Sequence, residues 1–288
     1  MLLTRRALLK TLAASATGAV AGIAGYGYAY ERHALRLVHS DLPVSGLAPE
    51  HVGLRIGLMT DLHHSEFTSQ ADIARAVDLT LAQRPDIVVL GGDYVSFHER
   101  QYMAPCAEAL APLSAPGGVF AIMGNHDDDR EMPAALERRG FDVLRDRRTT
   151  VTIKGAALEL AGIRYRTRTP AEISRVLGES ARSAILLAHD PRRLVQAVQL
   201  AVPAVLSGHT HGGQVVLPLL GAVAARKFPV VAGVAVQDGT SIFVSRGVGT
   251  VYLPLRVNCP PEVALITLRR AGPTDPTTWR REGTLRAK

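Results

Sequence analysis

"PAVLSGHTHGGQ", residues 203–214, begins as an apolar run and ends in two histidines one residue apart among three glycines. A short, continuous apolar run suits a strand buried on both faces. Polar groups at its C-terminal end fall where open α/β sheets bind ligands. A core histidine needs no glycines around it. Two histidines that must turn toward one point do, because glycine permits backbone that other residues resist.

The same construction recurs along the chain. "LRIGLM" (54–59) runs into Asp61 and His63, "DIVVLGGD" (86–93) into Asp93, and "GVFAIMGNHDD" (118–128) into Asn125 and His126. "SAILLAHD" (183–190) ends in His189, and the opening stretch in His209 and His211. Helical patterns separate the runs. In 69–84, Ile73, Val77 and Leu81 recur every four residues, and the segment stops before Pro85. Further helices are expected around 101–111, 131–139, 170–178 and 191–201. Strand and helix in alternation make the fold class α/β. The second half is richer in strands: a hairpin over 151–163, two strands joined across Asp238-Gly239, and a last strand over 261–268.

The 288 residues suit one sizeable domain with appendages. The expected organisation is a leader over 1–30, a lead-in over 31–53, the domain over 54–270 and a disordered basic tail over 271–288. The net charge of +7 sits at the ends: three basic groups within the first thirty residues and a net +4 over 269–288. The body is neutral and only 5% of residues are aromatic, which argues against a nucleic-acid partner. The two cysteines, Cys106 and Cys259, have no metal-ribbon spacing and read as two separate thiols rather than a bridge.

The leader begins "TRRALLK" (4–10), followed by twenty uncharged residues from Thr11 to Tyr30. Adjacent Arg5 and Arg6 before a mildly apolar run resemble a twin-arginine export signal, which implies the twin-arginine machinery as a partner. An ordinary secretory signal or a membrane anchor fits the same run, which is about long enough to span a thin bilayer. The expectation is an exported or membrane-anchored protein on the periplasmic or extracytoplasmic side. The cytoplasmic face of the membrane is the alternative.

Taken singly, each polar strand end has an ordinary structural explanation, as a helix cap or a turn. Together, several carboxylates and imidazoles at one sheet edge are costly to bury unless divalent cations compensate them. Imidazole, carboxylate and amide oxygen without thiolate suit Mn, Fe or Zn. Seven such groups are enough for two ions.

The order D-x-H, G-D, G-N-H, H, G-H-x-H resembles the calcineurin-like metallophosphoesterase family from about residue 54 to 268. Longer stretches, "DLHHSEF", "LGGDYVSF" and "SRGVGTVYLPLRVNCPPE", resemble its exported bacterial branch. The resemblance implies a sandwich of two mixed β-sheets flanked by helices, and a phosphodiesterase acting at the membrane or cell envelope. It implies that Asp61, His63 and His211 hold one metal, that Asn125, His189 and His209 hold a second, and that Asp93 bridges them. His126 becomes the non-ligand catalytic imidazole.

Two ions clamp the attacking and leaving oxygens of an in-line displacement and lower the pKa of a water between them, so that hydroxide is available near neutrality. His64, Arg246, Arg256 and Asn258 are further candidates for substrate contact. The expected substrate is a phosphate ester, possibly lipid-linked. Two other readings are a pyrophosphatase acting on a UDP-linked diacylated sugar and a membrane-tethered protein whose metals are only structural. The apolar stretch "VVLPLLGAVAARKFPVV" (215–231) reads as a buried strand with its loop, in preference to a rim that meets acyl chains or the membrane surface.

Overall fold

Along the buried strands, side chains alternate between two apolar compartments, as a period of two requires. The computed structural model describes residues 4–272. In chain order the elements are α1 (Arg5–Ala29), β1 (Arg36–Val44), β2 (Arg55–Met59), α2 (Gln70–Leu81), β3 (Ile87–Leu90), α3 (Met103–Leu110), β4 (Val119–Ala121), α4 (Glu131–Glu137) and β5 (Asp142–Val143). They continue with β6 (Arg147–Ile153), β7 (Ala156–Gly162), α5 (Pro170–Leu177), β8 (Ile185–Leu187), α6 (Leu194–Gln199), β9 (Ala204–Ser207), β10 (Gly233–Gln237), β11 (Thr240–Val244) and β12 (Glu262–Arg270).

Two six-stranded sheets form, ordered β1-β12-β2-β3-β4-β5 and β10-β11-β9-β8-β7-β6. Both are mixed. β2 to β5 are parallel and β12 runs antiparallel to β2. β7, β8, β9 and β11 are parallel, while β6 and β10 run antiparallel at the two edges. Ile56, Leu58, Val89 and Phe120 of the first sheet meet Leu160, Ile185, Leu187, Leu206 and Phe243 of the second in one central core. Met59, Val88, Leu90 and Ala121 face outward onto α2, α3 and α4. Leu186, Val205 and Ile242 face outward onto α5 and α6. The result is helix, sheet, sheet, helix, with the expected sandwich in the middle.

The helices start where the sequence supplies caps. Ser69 and Asp72 form a reciprocal capping box at α2, and Thr169 and Glu172 form another at α5, with Pro170 in its first turn. The 154–155 and 238–239 dipeptides turn the two expected hairpins. Both cysteines are buried and free.

Two expectations change. The stretch read as a lead-in supplies β1, which runs parallel to β12 over nine residue pairs and closes one edge of the first sheet. Its burial is one-sided and partial over most of its length, so it lacks the continuous apolar run by which the central strands are read. Residues 215–231 form no strand beyond single bridges, Val215 to Val257 and Leu217 to Gly221, and Leu219 and Leu220 stand in solvent. Of the expected disordered tail, all but Ala271 and Gly272 lies outside the described residues.

Candidate metal centre

The parallel strands deliver their C-terminal ends to one place. Asp61 and His63 follow β2, Asp93 follows β3, Asn125 and His126 follow β4, His189 follows β8, and His209 and His211 follow β9. Asp61, His63, Asp93, His189 and His211 are buried, each at most 4% exposed.

Asp61, His63 and His211 form one group of converging ligand atoms, and Asp93, His189 and His209 a second. In the first, His63 Nε2 faces His211 Nε2 at 3.1 Å, and His211 Nε2 lies 3.4 Å from Asp61 Oδ1. In the second, His189 Nε2 lies 3.2 Å from His209 Nδ1 and 3.1 Å from Asp93 Oδ2. Asp93 Oδ2 is also 3.5 Å from His63 Nε2, so one carboxylate oxygen touches both groups. Asn125 Oδ1 is buried without a hydrogen-bond partner. A buried polar atom left unpaired is costly, and a divalent cation would satisfy it.

Backbone strain accompanies this convergence. Asp61, His63, Asp93, His209 and His211 all have positive φ, between 46° and 70°. Non-glycine residues in that region cost about 1–3 kcal/mol each and cluster at functional sites. The neighbouring glycines chiefly provide space. A Cβ on Gly208 would lie 2.2 Å from Asp61 Oδ2, and one on Gly124 would lie 2.0 Å from Asp93 Oδ1.

Burial keeps three of the four ligand-group imidazoles in the ligand form. It pushes His63 and His209 down to about 3 and His211 well below its usual value, so all three are neutral at pH 7 with lone pairs free. Burial opposes the charge on His189 too, but the Asp93 and Asp61 carboxylates outweigh it and raise that imidazole to about 10. His189 Nδ1 donates to the Gly91 carbonyl at 2.8 Å, leaving Nε2 toward the centre. A second-layer hydrogen bond of this kind orients a metal-ligating histidine.

His126 is built differently. The Phe97 amide donates to its Nδ1 at 3.2 Å. Burial lowers its pKa, so the neutral ring carries its proton on Nε2. Its own amide donates to Asp93 Oδ1 at 2.8 Å, which ties the imidazole to the shared carboxylate. Phe97 and Tyr252 stand edge-on to it, with ring centroids 5.0 and 6.1 Å away. On the other side, Tyr165 and Phe228 flank His209 at 5.5 and 5.3 Å. These aromatic walls carry no signal in the sequence, since each ring comes from a different loop.

Asp127 is the residue whose role the sequence hides most. It accepts from the amides of Asp93, Tyr94 and Gly124 at 2.7, 2.7 and 2.8 Å. One carboxylate thus pins the loops after β3 and β4 together and positions Asp93 and Asn125. An Asp127→Ala chain should bind metal about 10–100-fold more weakly while approaching full turnover at saturating metal. Titration calorimetry with Mn²⁺ reads this, and unchanged affinity would show that the loops hold without it.

The four expected substrate contacts are otherwise engaged. His64 is buried, with Nδ1 3.0 Å from the Tyr102 carbonyl, and braces the turn before α3. Arg246 Nη1 pairs at 2.5 Å with Glu262, itself 1% exposed. Asn258 Nδ2 donates to the Val216 carbonyl at 3.0 Å. Arg256 is fully buried, and its guanidinium donates to the carbonyls of Arg246, Gly247, Gly249 and Cys259. It holds the loop over 246–259 in shape. Arg256→Ala would orphan those carbonyls and should cost at least about 3 kcal/mol in chemical denaturation. A loss near zero would mean that the loop needs no such staple.

With this arrangement in view, comparison with known proteins is decisive. The family profile described as Calcineurin-like phosphoesterase matches residues 54–213. The chain belongs to the calcineurin-like phosphoesterase family. This calcineurin-like phosphoesterase is 30% identical to the phosphodiesterase YaeI of Escherichia coli over 93% of its own length and 100% of that protein. It is 29% identical to the metallophosphoesterase YkuE of Bacillus subtilis over 93% and 98% of the two chains. A transmembrane protein with a metallophosphoesterase domain from Danio rerio is 29% identical over 86% of this chain and 61% of that protein. The calcineurin-like phosphoesterase described here is therefore a hydrolase of phosphate esters, in a family that works with divalent metals.

Proposed function

We propose that the chain is a phosphodiesterase with a dinuclear centre, acting at a membrane or in the cell envelope. The observation that carries this reading is the placement of Asp93 Oδ2, 3.1 Å from His189 and 3.5 Å from His63. A single carboxylate oxygen between two ligand groups suits two adjacent cations. Asp61, His63 and His211 hold the first, and Asn125, His189 and His209 hold the second. The unpartnered Asn125 Oδ1 supports its place in the set.

Ions bound there supply Lewis-acid polarisation of the phosphoryl oxygens and activation of the attacking water. His126 offers Nε2–H to the oxygen on which negative charge develops, with Phe97 fixing the tautomer at Nδ1. Phe97 and Tyr252 narrow the approach on that side. Preference for a diester is supported by the activity named for the E. coli relative. Action at a membrane is supported by α1, the only helix among the described residues long and apolar enough to cross a bilayer. At 1.5 Å per residue its 25 residues extend about 37 Å.

The test is hydrolysis of bis(p-nitrophenyl) phosphate by the full chain with Mn²⁺, Fe²⁺ or Zn²⁺. Turnover that disappears with EDTA is expected, and no turnover with any of these metals overturns the proposal. Chelation should also lower the melting temperature. A site filled at a thousand times its Kd adds about 4 kcal/mol, on the order of 10 °C for a domain of this size. An unchanged melting temperature would mean that the two ligand groups hold no ions.

A further inference from the structure

The segment 215–231 leaves the metal centre at one end and rejoins the body at the other, through Phe228 beside His209 and Val230 in the core under α5 and α6, while the tip of the turn between them is exposed. Leu217 and Gly221 bridge to form a tight turn whose tip carries Leu219, fully exposed, and Leu220, 56% exposed. Val223 beside them is 46% exposed. The neighbouring loop presents Tyr252 and Leu253, 77% and 56% exposed.

The two loops form one unit. The Gln214 side chain donates to the Val251 and Leu253 carbonyls and accepts from the Val251 amide, and the Val216 amide donates to Val257. A contiguous exposed apolar patch on a folded protein marks an interaction surface.

Three observations say what covers it. First, the roots of both loops are tied to the base of α1, since Asn258, whose side chain donates to the Val216 carbonyl, also bonds Glu31. The Arg256 amide donates to the Gly27 carbonyl at 3.2 Å, and Glu31 accepts from the amides of Asn258 and Cys259. A Cβ on Gly27 would lie 2.5 Å from the Arg256 carbonyl oxygen, so helix and loop are in contact. Second, that end of α1 carries exposed Tyr26, Tyr28 and Tyr30. Tyrosines at one end of a span mark the level of the headgroups, and here that end is bonded, through Gly27 and Arg256, to the loop bearing Tyr252 and Leu253. Third, residues 215–237 contain exposed Arg226 and Lys227 and no acidic residue. Cations beside an apolar tip complement an anionic lipid surface. A symmetric contact with a second copy would instead set like charges together.

We propose that Leu217–Val223, with Tyr252 and Leu253, dips into the headgroup–acyl boundary of the anionic bilayer that α1 crosses. The rim is then a second membrane contact beside the span. It holds the mouth flanked by Phe97, Tyr252 and His126 against the lipid surface. The contact rests on the membrane reading of α1 proposed above, and stands apart from the metal reading because its test does not use turnover.

The full chain carrying Leu219→Cys, labelled with an environment-sensitive fluorophore, is incorporated into vesicles of equal parts phosphatidylcholine and phosphatidylglycerol. Cys106 and Cys259 are buried, and the labelled parent chain corrects for them. Thr152→Cys is the reference, exposed on the edge strand β6 near the end of the sheet away from the metal centre. The Leu219 label is expected to lose fluorescence to lipids with brominated acyl chains and to resist aqueous iodide, while the Thr152 label does the reverse. Leu253→Cys should behave like Leu219→Cys and keeps the test open if one variant fails to fold. Omitting phosphatidylglycerol, or exchanging Arg226 and Lys227 for glutamate, should weaken the lipid quenching. Iodide quenching at 219 and 253 as complete as at 152, with none by the brominated lipid, overturns the proposal. So does efficient disulfide formation between two unlabelled copies of the Leu219→Cys chain with no lipid quenching, which would assign the patch to self-association.

Discussion

Asp93→Ala will empty both metal sites and reduce hydrolysis to background. The carboxylate lies between the two ligand groups, 3.1 Å from His189 and 3.5 Å from His63, so in the proposed dinuclear centre its removal would leave each site short of a ligand and without the charge between them. Metal charge stabilisation contributes several kcal/mol to phosphoryl transfer. At 1.36 kcal/mol per tenfold, kcat/KM should fall by about a thousandfold or more. Because Asp93 Oδ1 also accepts from the His126 amide, alanine disturbs the loop as well as the charge. Asp93→Asn separates the two effects: it keeps an acceptor for that amide and removes the negative charge. Both variants should bind fewer than two ions per chain by elemental analysis. Two ions retained in Asp93→Asn would sink the bridging role.

His126→Ala should have nearly as large an effect on rate and none on metal content. The imidazole touches the centre edge-on, 5.0 Å from the His63 ring, and belongs to neither ligand group. A positioned proton donor typically contributes 10²–10⁴-fold, so kcat should drop by about that factor while two ions remain bound. Nδ1 is committed to the Phe97 amide, which leaves Nε2 as the ring's proton-bearing nitrogen for the proposed role. Loss of an ion on substitution would make His126 a ligand instead. Retained ions with unchanged kcat would remove it from the chemistry.

These residues are legible in the chain because of how the strands are buried. β2, β3, β4, β8 and β9 are covered on both faces, so their sequences are continuously apolar and the first polar residues after them stand out. β1 escapes such a reading for the converse reason: as an edge strand it is only partly covered, and its sequence carries polar residues along its length.

The four expected substrate contacts illustrate the other limit. Arg256 looks like a surface cation in the sequence, yet its guanidinium is enclosed by four carbonyls of its own loop. Arg246 is held by Glu262, sixteen residues on, and His64 by Tyr102, thirty-eight residues on. Nothing in local spacing announces such partners. Asp127 suffers the same blindness: its position suits an orienter of His126 or a helix-start acid, and it binds three backbone amides instead.

The amino-acid order alone determined the α/β class, the strands buried on both faces, the two hairpins of the second half, and the residue types that crowd the strand ends. It did so because burial and turn geometry act over a few residues and leave a local pattern. Only the tertiary structure decided that the ends of two separate sheets meet, that Asp93 stands between the two groups, that left-handed backbone at Asp61, His63, Asp93, His209 and His211 aims them inward, and that Leu219 and Leu220 are exposed on a turn whose neighbouring loop, 246–259, is bonded to the base of α1. Those facts depend on how two layers stack across a common core, a relation between residues as distant in the chain as Asp61 and His211 that no short-range preference can encode.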